Sequence, residues 1–298
     1  TWDPAAGLCN LERGEEFGDS LILSTLEYSD VADLQRWNLH PGASIFQYDF
    51  LNPENGIIPE AVREKLRHAA EINRRIVFLM NPPYAEDGVA GAKGQTRKGV
   101  AGTSTGAALR KTKLGRASRQ LYTQFMYRCT TIIKEFGFKR YTVAMFTKPT
   151  FMTSGTYQKF RAYWYKRFAF DAGFMFRAAH FSGLSDKWGV SFTVWHEGQT
   201  ELGNEVAVDV RDNTGEETVG LGQKTLYNAA GREASKWVSV PHDNVADTPK
   251  FTSGLKVVEN AYAGGQNTGS LGVMVHKSNN VMQSSTGVVL LAGKPPPV

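Results

Sequence analysis

Residues 78–84 read Phe-Leu-Met-Asn-Pro-Pro-Tyr, an apolar run that stops on an asparagine, two prolines and a tyrosine. Asn81 offers a side-chain carbonyl, Pro82 a backbone carbonyl and Tyr84 the face of a ring. Pro82 and Pro83 have fixed φ and no N–H to donate, so the loop is stiff where positioning matters. Two acceptors and a ring held side by side suit a planar substrate that carries an amino group. At roughly 5% usage per residue type, a given tetrapeptide occurs by chance in about one in several hundred chains of this length.

Three earlier strand ends carry polar groups of their own. Asp3-Pro4-Ala5-Ala6-Gly7-Leu8-Cys9-Asn10 follows a first strand, and a glycine turn there lets backbone approach a ligand at the carboxyl edge of an α/β sheet. Glu27 lies 20 residues beyond Gly7, at the end of the next strand. That is about the spacing at which an acidic side chain accepts hydrogen bonds from ribose hydroxyls. Asp49 ends the third strand, poised for the same crevice.

The elements that position these groups alternate between apolar strands and amphipathic helices up to about residue 200, which predicts an α/β sheet. Strands are expected at Leu21–Glu27, Ala43–Tyr48, Ile76–Met80, Tyr141–Phe146 and Val190–His196, and helices at Glu60–Asn73, Gln120–Phe136 and Tyr157–Phe168. Residues 88–119 interrupt the pattern. They show no apolar period and contain eight cationic residues, Lys93, Arg97, Lys98, Arg110, Lys111, Lys113, Arg116 and Arg119, with no Asp or Glu. An insert of that kind neutralises phosphates with little sequence preference. Beyond residue 200 the chain turns β-rich, with short strands at Glu205–Val210, Trp237–Val240 and Gly272–His276.

In this order the strand ends resemble the successive motifs of the amino-group DNA methyltransferases of the N6-adenine type. The resemblance rests on Asp3-Pro4-Ala5-Ala6-Gly7, Glu27, Asp49-Phe50 and Asn81-Pro82-Pro83-Tyr84, continues through Thr147-Lys148-Pro149-Thr150-Phe151, and is weaker over Phe181–Trp195. It implies a Rossmann-like class I methyltransferase sheet with helices on both faces over residues 1–200. It also implies S-adenosylmethionine (AdoMet) as cofactor, bound by Asp3, Pro4, Ala5, Gly7, Glu27, Asp49 and Phe50. Asn81, Pro82, Pro83 and Tyr84 would be the catalytic loop, acting on an adenine flipped from double-stranded DNA. One position departs from the pattern: where the family usually has a second glycine in its first loop, this chain has Cys9.

The family's cofactor motifs precede its catalytic one here, which resembles the gamma arrangement. Only 25 residues separate Phe50 from Ile76, so a target-recognition module belongs after the catalytic domain, beginning within residues 201–298. The resemblance further implies a restriction-modification or phage-defence setting, with restriction or specificity subunits as partners. The alternatives are transfer to N4 of cytosine, to guanine in ribosomal RNA or to a protein glutamine, and a catalytically silent DNA-binding subunit.

Composition narrows the remaining classes. The 298 residues are 41% apolar with a net charge of +5, which permits a polyanionic partner without demanding one. Two cysteines in no metal-ligand spacing predict neither a disulfide framework nor a metal site, and the longest apolar runs are too short to span a bilayer. A cytoplasmic protein is expected. Thr1-Trp2-Asp3-Pro4 reads as the end of a strand already under way, so the chain is expected to be a piece of a longer protein.

Overall fold

The computed structural model describes residues 1–86, 102–180, 189–201, 205–212 and 218–228. Of the expected features, Lys93, Arg97, Lys98, Phe181–Trp188 and the strands at Trp237–Val240 and Gly272–His276 lie outside them.

Among the described residues, nine strands form one sheet in the order β3-β2-β1-β4-β5-β7-β6-β8-β9. The first five are β1 (Trp2–Asp3), β2 (Ile22–Thr25), β3 (Ser44–Gln47), β4 (Ile76–Met80) and β5 (Tyr141–Thr147), and all pair in parallel. The chain winds outward from β1 through β2 to β3, then returns to β1's other side with β4. The order therefore reverses between β1 and β4, where the carboxyl ends of neighbouring strands splay apart into a crevice. Beyond β5, β6 (Phe168–Arg177) and β7 (Gly189–Glu197) form a hairpin-like pair in which β7 runs antiparallel to both neighbours.

Strand alternation divides the core between two faces. Ile22, Phe46, Phe78 and Val143 join one cluster with Val62 and Leu66 of α2 (Glu60–Glu71), Phe125, Met126 and Cys129 of α4 (Leu121–Phe136), and Phe160 and Trp164 of α6 (Gln158–Tyr165). Leu21 and Leu23 point the opposite way, to Leu34 of α1 (Tyr28–Trp37) and to Ala6 and Cys9. Helices thus cover both faces, as expected for this fold class. The connection from β1 to β2 is the exception: its only helical turn is a 3-10 segment at Gly18–Ser20.

Three expectations are corrected. The segment over residues 102–119 is not structureless. It contains α3 (Ser104–Lys111), which is capped by Thr103 through a 2.9 Å bond from the Gly106 amide and seats Leu109 in the core, and a 3-10 turn at Gly115–Arg119. The helix expected over Tyr157–Phe168 ends at Tyr165, and the chain then runs into β6. Nor does the sheet end at residue 200, because β8 (Val206–Asp212) pairs with β6 and β9 (Val219–Leu226) with β8. Thr1–Asn228 forms one contact unit, so a division at residue 200 falls inside it.

Candidate active site

The loop after β4 leaves the sheet beside β1. Trp2 pairs with Phe78, so the chain after Asp3 and the chain after Met80 emerge side by side at the strand-order reversal. Pro82 is buried, Pro83 exposed, and Asn81 and Tyr84 half-buried. The Tyr84 hydroxyl donates to Asn81 Oδ1 at 3.1 Å. A carboxamide oxygen has two lone pairs, so this bond orients the amide and leaves a second acceptor site on the same atom. Burial pushes the Tyr84 phenol well above its usual range, which keeps the hydroxyl a neutral donor.

The loop is fastened at its far end. The Leu121 amide donates to the Ala85 carbonyl at 3.1 Å, and Gln120 Nε2 donates to Glu86 Oε1 at 2.6 Å. These bonds join the loop to the start of α4, whose apolar face is sunk in the main core. The neighbouring turn after β5 holds Lys148 and α5 (Thr150–Thr153), and is tied down by buried Arg161, which donates to the carbonyls of Phe151 at 2.9 Å and Ser154 at 3.1 Å. Burial lowers the Lys148 ammonium, an effect that the nearby Glu86 carboxylate opposes.

On the other side of the reversal, the expected cofactor residues divide into two groups. Glu27 stands exposed at the head of α1 and makes no capping bond there, with exposed Leu26 and Tyr28 on either side. Gly7 adopts φ +50°, and a Cβ there would meet open space. Asp49 also lies at this edge, but it holds its own loop: its Oδ1 accepts from the amides of Leu51 and Asn52, and its Oδ2 from Asn52 Nδ2.

Asp3 and Phe50 turn inward instead. Asp3 is 1% exposed, and its Oδ1 accepts the Ala5 amide at 2.8 Å. Burial, and then the neighbouring Glu12 carboxylate, raise its carboxyl well above the usual range. Phe50 packs in the core against Phe125, with ring centroids 5.3 Å apart, and against Trp2 at 5.6 Å.

Cys9, at the family's second glycine position, has φ +59°, a left-handed conformation that a glycine adopts without cost. A non-glycine residue there costs on the order of 1–3 kcal/mol. Its amide donates to the Ala6 carbonyl at 2.8 Å and its Sγ to Glu12 Oε2 at 3.2 Å, and these bonds hold it in place. The loop therefore combines a glycine-like backbone with a cysteine side chain. Glu12 itself, fully buried with Oε1 unpartnered, has no motif or spacing that would have revealed it from the sequence.

The residues at this edge fit AdoMet in part. Glu27 is a free carboxylate at ribose spacing, Gly7 opens the backbone, and Leu26 and Tyr28 offer apolar surface for an adenine. Asp3 and Phe50 support the loops behind these groups. Among the described residues, no group of three or more His, Cys, Asp or Glu is arranged to hold a metal ion, and no helix is long and apolar enough to cross a membrane. Of the basic residues, Arg110, Lys111, Lys113, Arg116 and Arg119 are all exposed, on α3 and the turn that follows it.

The strand order, with reversed β7 between β5 and β6, is that of the class I methyltransferase sheet. No protein-family model matches the sequence, and no curated protein is similar to it. Solved structures are similar at low identity. A protein described as a modification subunit of a type I restriction enzyme from Vibrio vulnificus is 14% identical with a TM-score of 0.41, over 77% of this chain and 44% of that one. The type IIG restriction endonuclease BpuSI is 16% identical with a TM-score of 0.44, over 75% and 27%. A nuclease-deletion mutant of the type ISP restriction-modification enzyme LlaGI, in complex with a DNA substrate mimic, is 11% identical with a TM-score of 0.45, over 74% and 24%. The chain thus spans less than half the length of each of these proteins. The function proposed below rests on this chain's own strand order and side chains.

Proposed function

We propose that this chain is the catalytic part of an AdoMet-dependent DNA methyltransferase acting on N6 of adenine. One observation carries the reading: a stiff Asn-Pro-Pro-Tyr loop stands at the carboxyl end of β4, beside the strand-order reversal, with Asn81 Oδ1 oriented by Tyr84 and able to accept once more. The exocyclic amine of adenine is a poor nucleophile, because its lone pair is delocalised into the ring. Asn81 Oδ1 and the Pro82 carbonyl accept its two N–H bonds and draw the nitrogen toward a tetrahedral shape. Tyr84 supplies the surface for a base taken out of the duplex stack.

When bound, AdoMet supplies an electrophilic methyl group, and Glu27 and the Gly7 turn are the residues that would hold it. The chain's own contribution to rate is positioning: the prolines and the bonds to α4 keep the acceptors in place before the substrate arrives. The leading asparagine favours adenine over cytosine, whose N4 enzymes more often begin the tetrapeptide with serine. Exposed cations along α3 and the following turn favour nucleic acid over a protein amide. Partner restriction or specificity subunits belong to the same proposal. A second reading, a subunit that binds DNA without transferring methyl groups, is favoured by one feature, the inward turn of Asp3.

The test is to incubate the full chain with duplex DNA and labelled AdoMet, then digest the DNA to nucleosides. Label in N6-methyladenine is the expected result. Label in cytosine or in protein, or no label, overturns the adenine assignment.

A further inference from the structure

Next to the catalytic loop lies a polar cleft of about 430 Å³, whose walls include Glu86, Arg116, Arg119, Lys148, Ser154 and Thr156. Three different parts of the chain meet in it: the end of the catalytic loop, the 3-10 turn before α4, and the turn after β5. Arg116 and Arg119 lie three residues apart on a 3-10 turn, a spacing that stacks their side chains on one side. Both are exposed and make no hydrogen bond or ion pair among the described residues. The Glu86 carboxylate accepts from Gln120 Nε2, and its one negative charge is outnumbered by Arg116, Arg119 and Lys148 in the cleft wall.

We propose that this cleft seats a backbone phosphate of the strand whose base enters the Asn81 loop. The inference rests on the function proposed above and assigns the strand a path: from the loop, past Glu86, toward the start of α4. The chemistry of the walls selects a phosphodiester. Two guanidinium groups present planar forks of donors to phosphate oxygens, Lys148 adds a point charge, and Ser154 and Thr156 add hydroxyls. AdoMet carries no phosphate, so the group that fills the cleft comes from the polynucleotide.

The experiment measures duplex binding by the full chain as a function of salt, without AdoMet. The Arg116→Ala/Arg119→Ala double variant, changed at two exposed positions, is compared with the unaltered chain and with Lys134→Ala, an exposed cation at the far end of α4. Each neutralised phosphate contributes about 0.9 to the slope of log K against log salt, so the double variant should lose about one from the slope while Lys134→Ala loses none. An unaltered slope in the double variant, or an equal loss in Lys134→Ala, overturns the proposal. Inorganic phosphate competing as well as DNA at matched ionic strength also overturns it, because the cleft would then be a site for free anions. Binding is read without methyl transfer. A slope loss in a chain that methylates nothing therefore removes the proposed reaction and leaves the phosphate seat standing.

Discussion

The loop after β4 owes its shape to covalent restriction, and the loop after β1 owes its shape to buried polar contacts. In the first, two prolines fix the backbone, and the bonds from Leu121 and Gln120 fasten the far end to a helix with a deeply buried face. In the second there is no α-helix before β2. Asp3, Cys9 and Glu12 pack their side chains under the backbone instead, and Cys9 holds a conformation suited to glycine. The difference shows how one sheet edge can divide two tasks. In the proposed reaction the loop that places the acceptors is the stiff one. The other depends on a carboxyl pair whose energy varies with pH.

The largest test of that contrast is Asn81→Ala. Removing one preorganised acceptor should lower kcat by about 10²–10³-fold while AdoMet affinity stays within about twofold, because the loss falls on the transition state. Single-turnover methylation and equilibrium binding of labelled AdoMet would check both halves of this prediction. Glu27→Ala should do the opposite. Loss of hydrogen bonds to a charged acceptor costs about 1.5–3 kcal/mol, so AdoMet affinity should fall at least tenfold while duplex affinity is unaltered. A fall in both would mean the two loops are coupled.

Tyr84 sharpens the account of the stiff loop. Tyr84→Ala removes the stacking face and should weaken binding of an unpaired base by about 1–3 kcal/mol. Tyr84→Phe keeps the ring and loses the bond to Asn81 Oδ1, worth about 1 kcal/mol, so kcat should fall about fivefold with little change in oligonucleotide affinity.

The smallest expected effect lies under the other loop. The folded state holds the Asp3 proton more tightly than the unfolded chain does. The stability this group contributes is therefore complete below its unfolded pKa near 3.9, and is lost as pH rises through its higher folded value. Glu12→Gln removes the neighbouring charge and should reduce that loss. A gain of about 1–2 kcal/mol at neutral pH would appear as a Tm higher by about 2–8 °C, shrinking in acid. A Tm difference that grows as pH falls would contradict the assignment.

The parts of this design that were legible in the sequence are those set by local chemistry. Asn81–Tyr84 could be read because two prolines end a strand wherever they occur, and β4 was located to the residue. Strand β6 was hidden for a definite reason. In Phe168–Arg177 the register shifts between Phe170 and Ala172, so Phe168 and Phe170 face one side of the sheet and Phe174 and Phe176 the other. An extra residue at that point cancels the alternation by which a strand is recognised. Helix α3 was hidden by composition. Its Ser-Thr-Gly-Ala start has little apolar character, and Leu109 alone is a large apolar anchor buried on it. Asp3 and Phe50 lie at or just beyond strand ends, and which way a side chain turns there is decided by partners distant in sequence, here Phe125 and Glu12.

Both cysteines are buried free thiols, and each lies in a different one of the two regions compared above. Cys9 is part of the loop after β1, and Cys129 is part of the helix to which the loop after β4 is fastened. Burial, followed by Glu12, pushes the Cys9 thiol up to about 12, and burial also pushes the Cys129 thiol up. Only thiolates are alkylated at useful rates, so each sulfur reacts only when its surroundings open. The molecule thus carries two internal clocks, one for each half of its working edge, and peptide-resolved alkylation would time them separately.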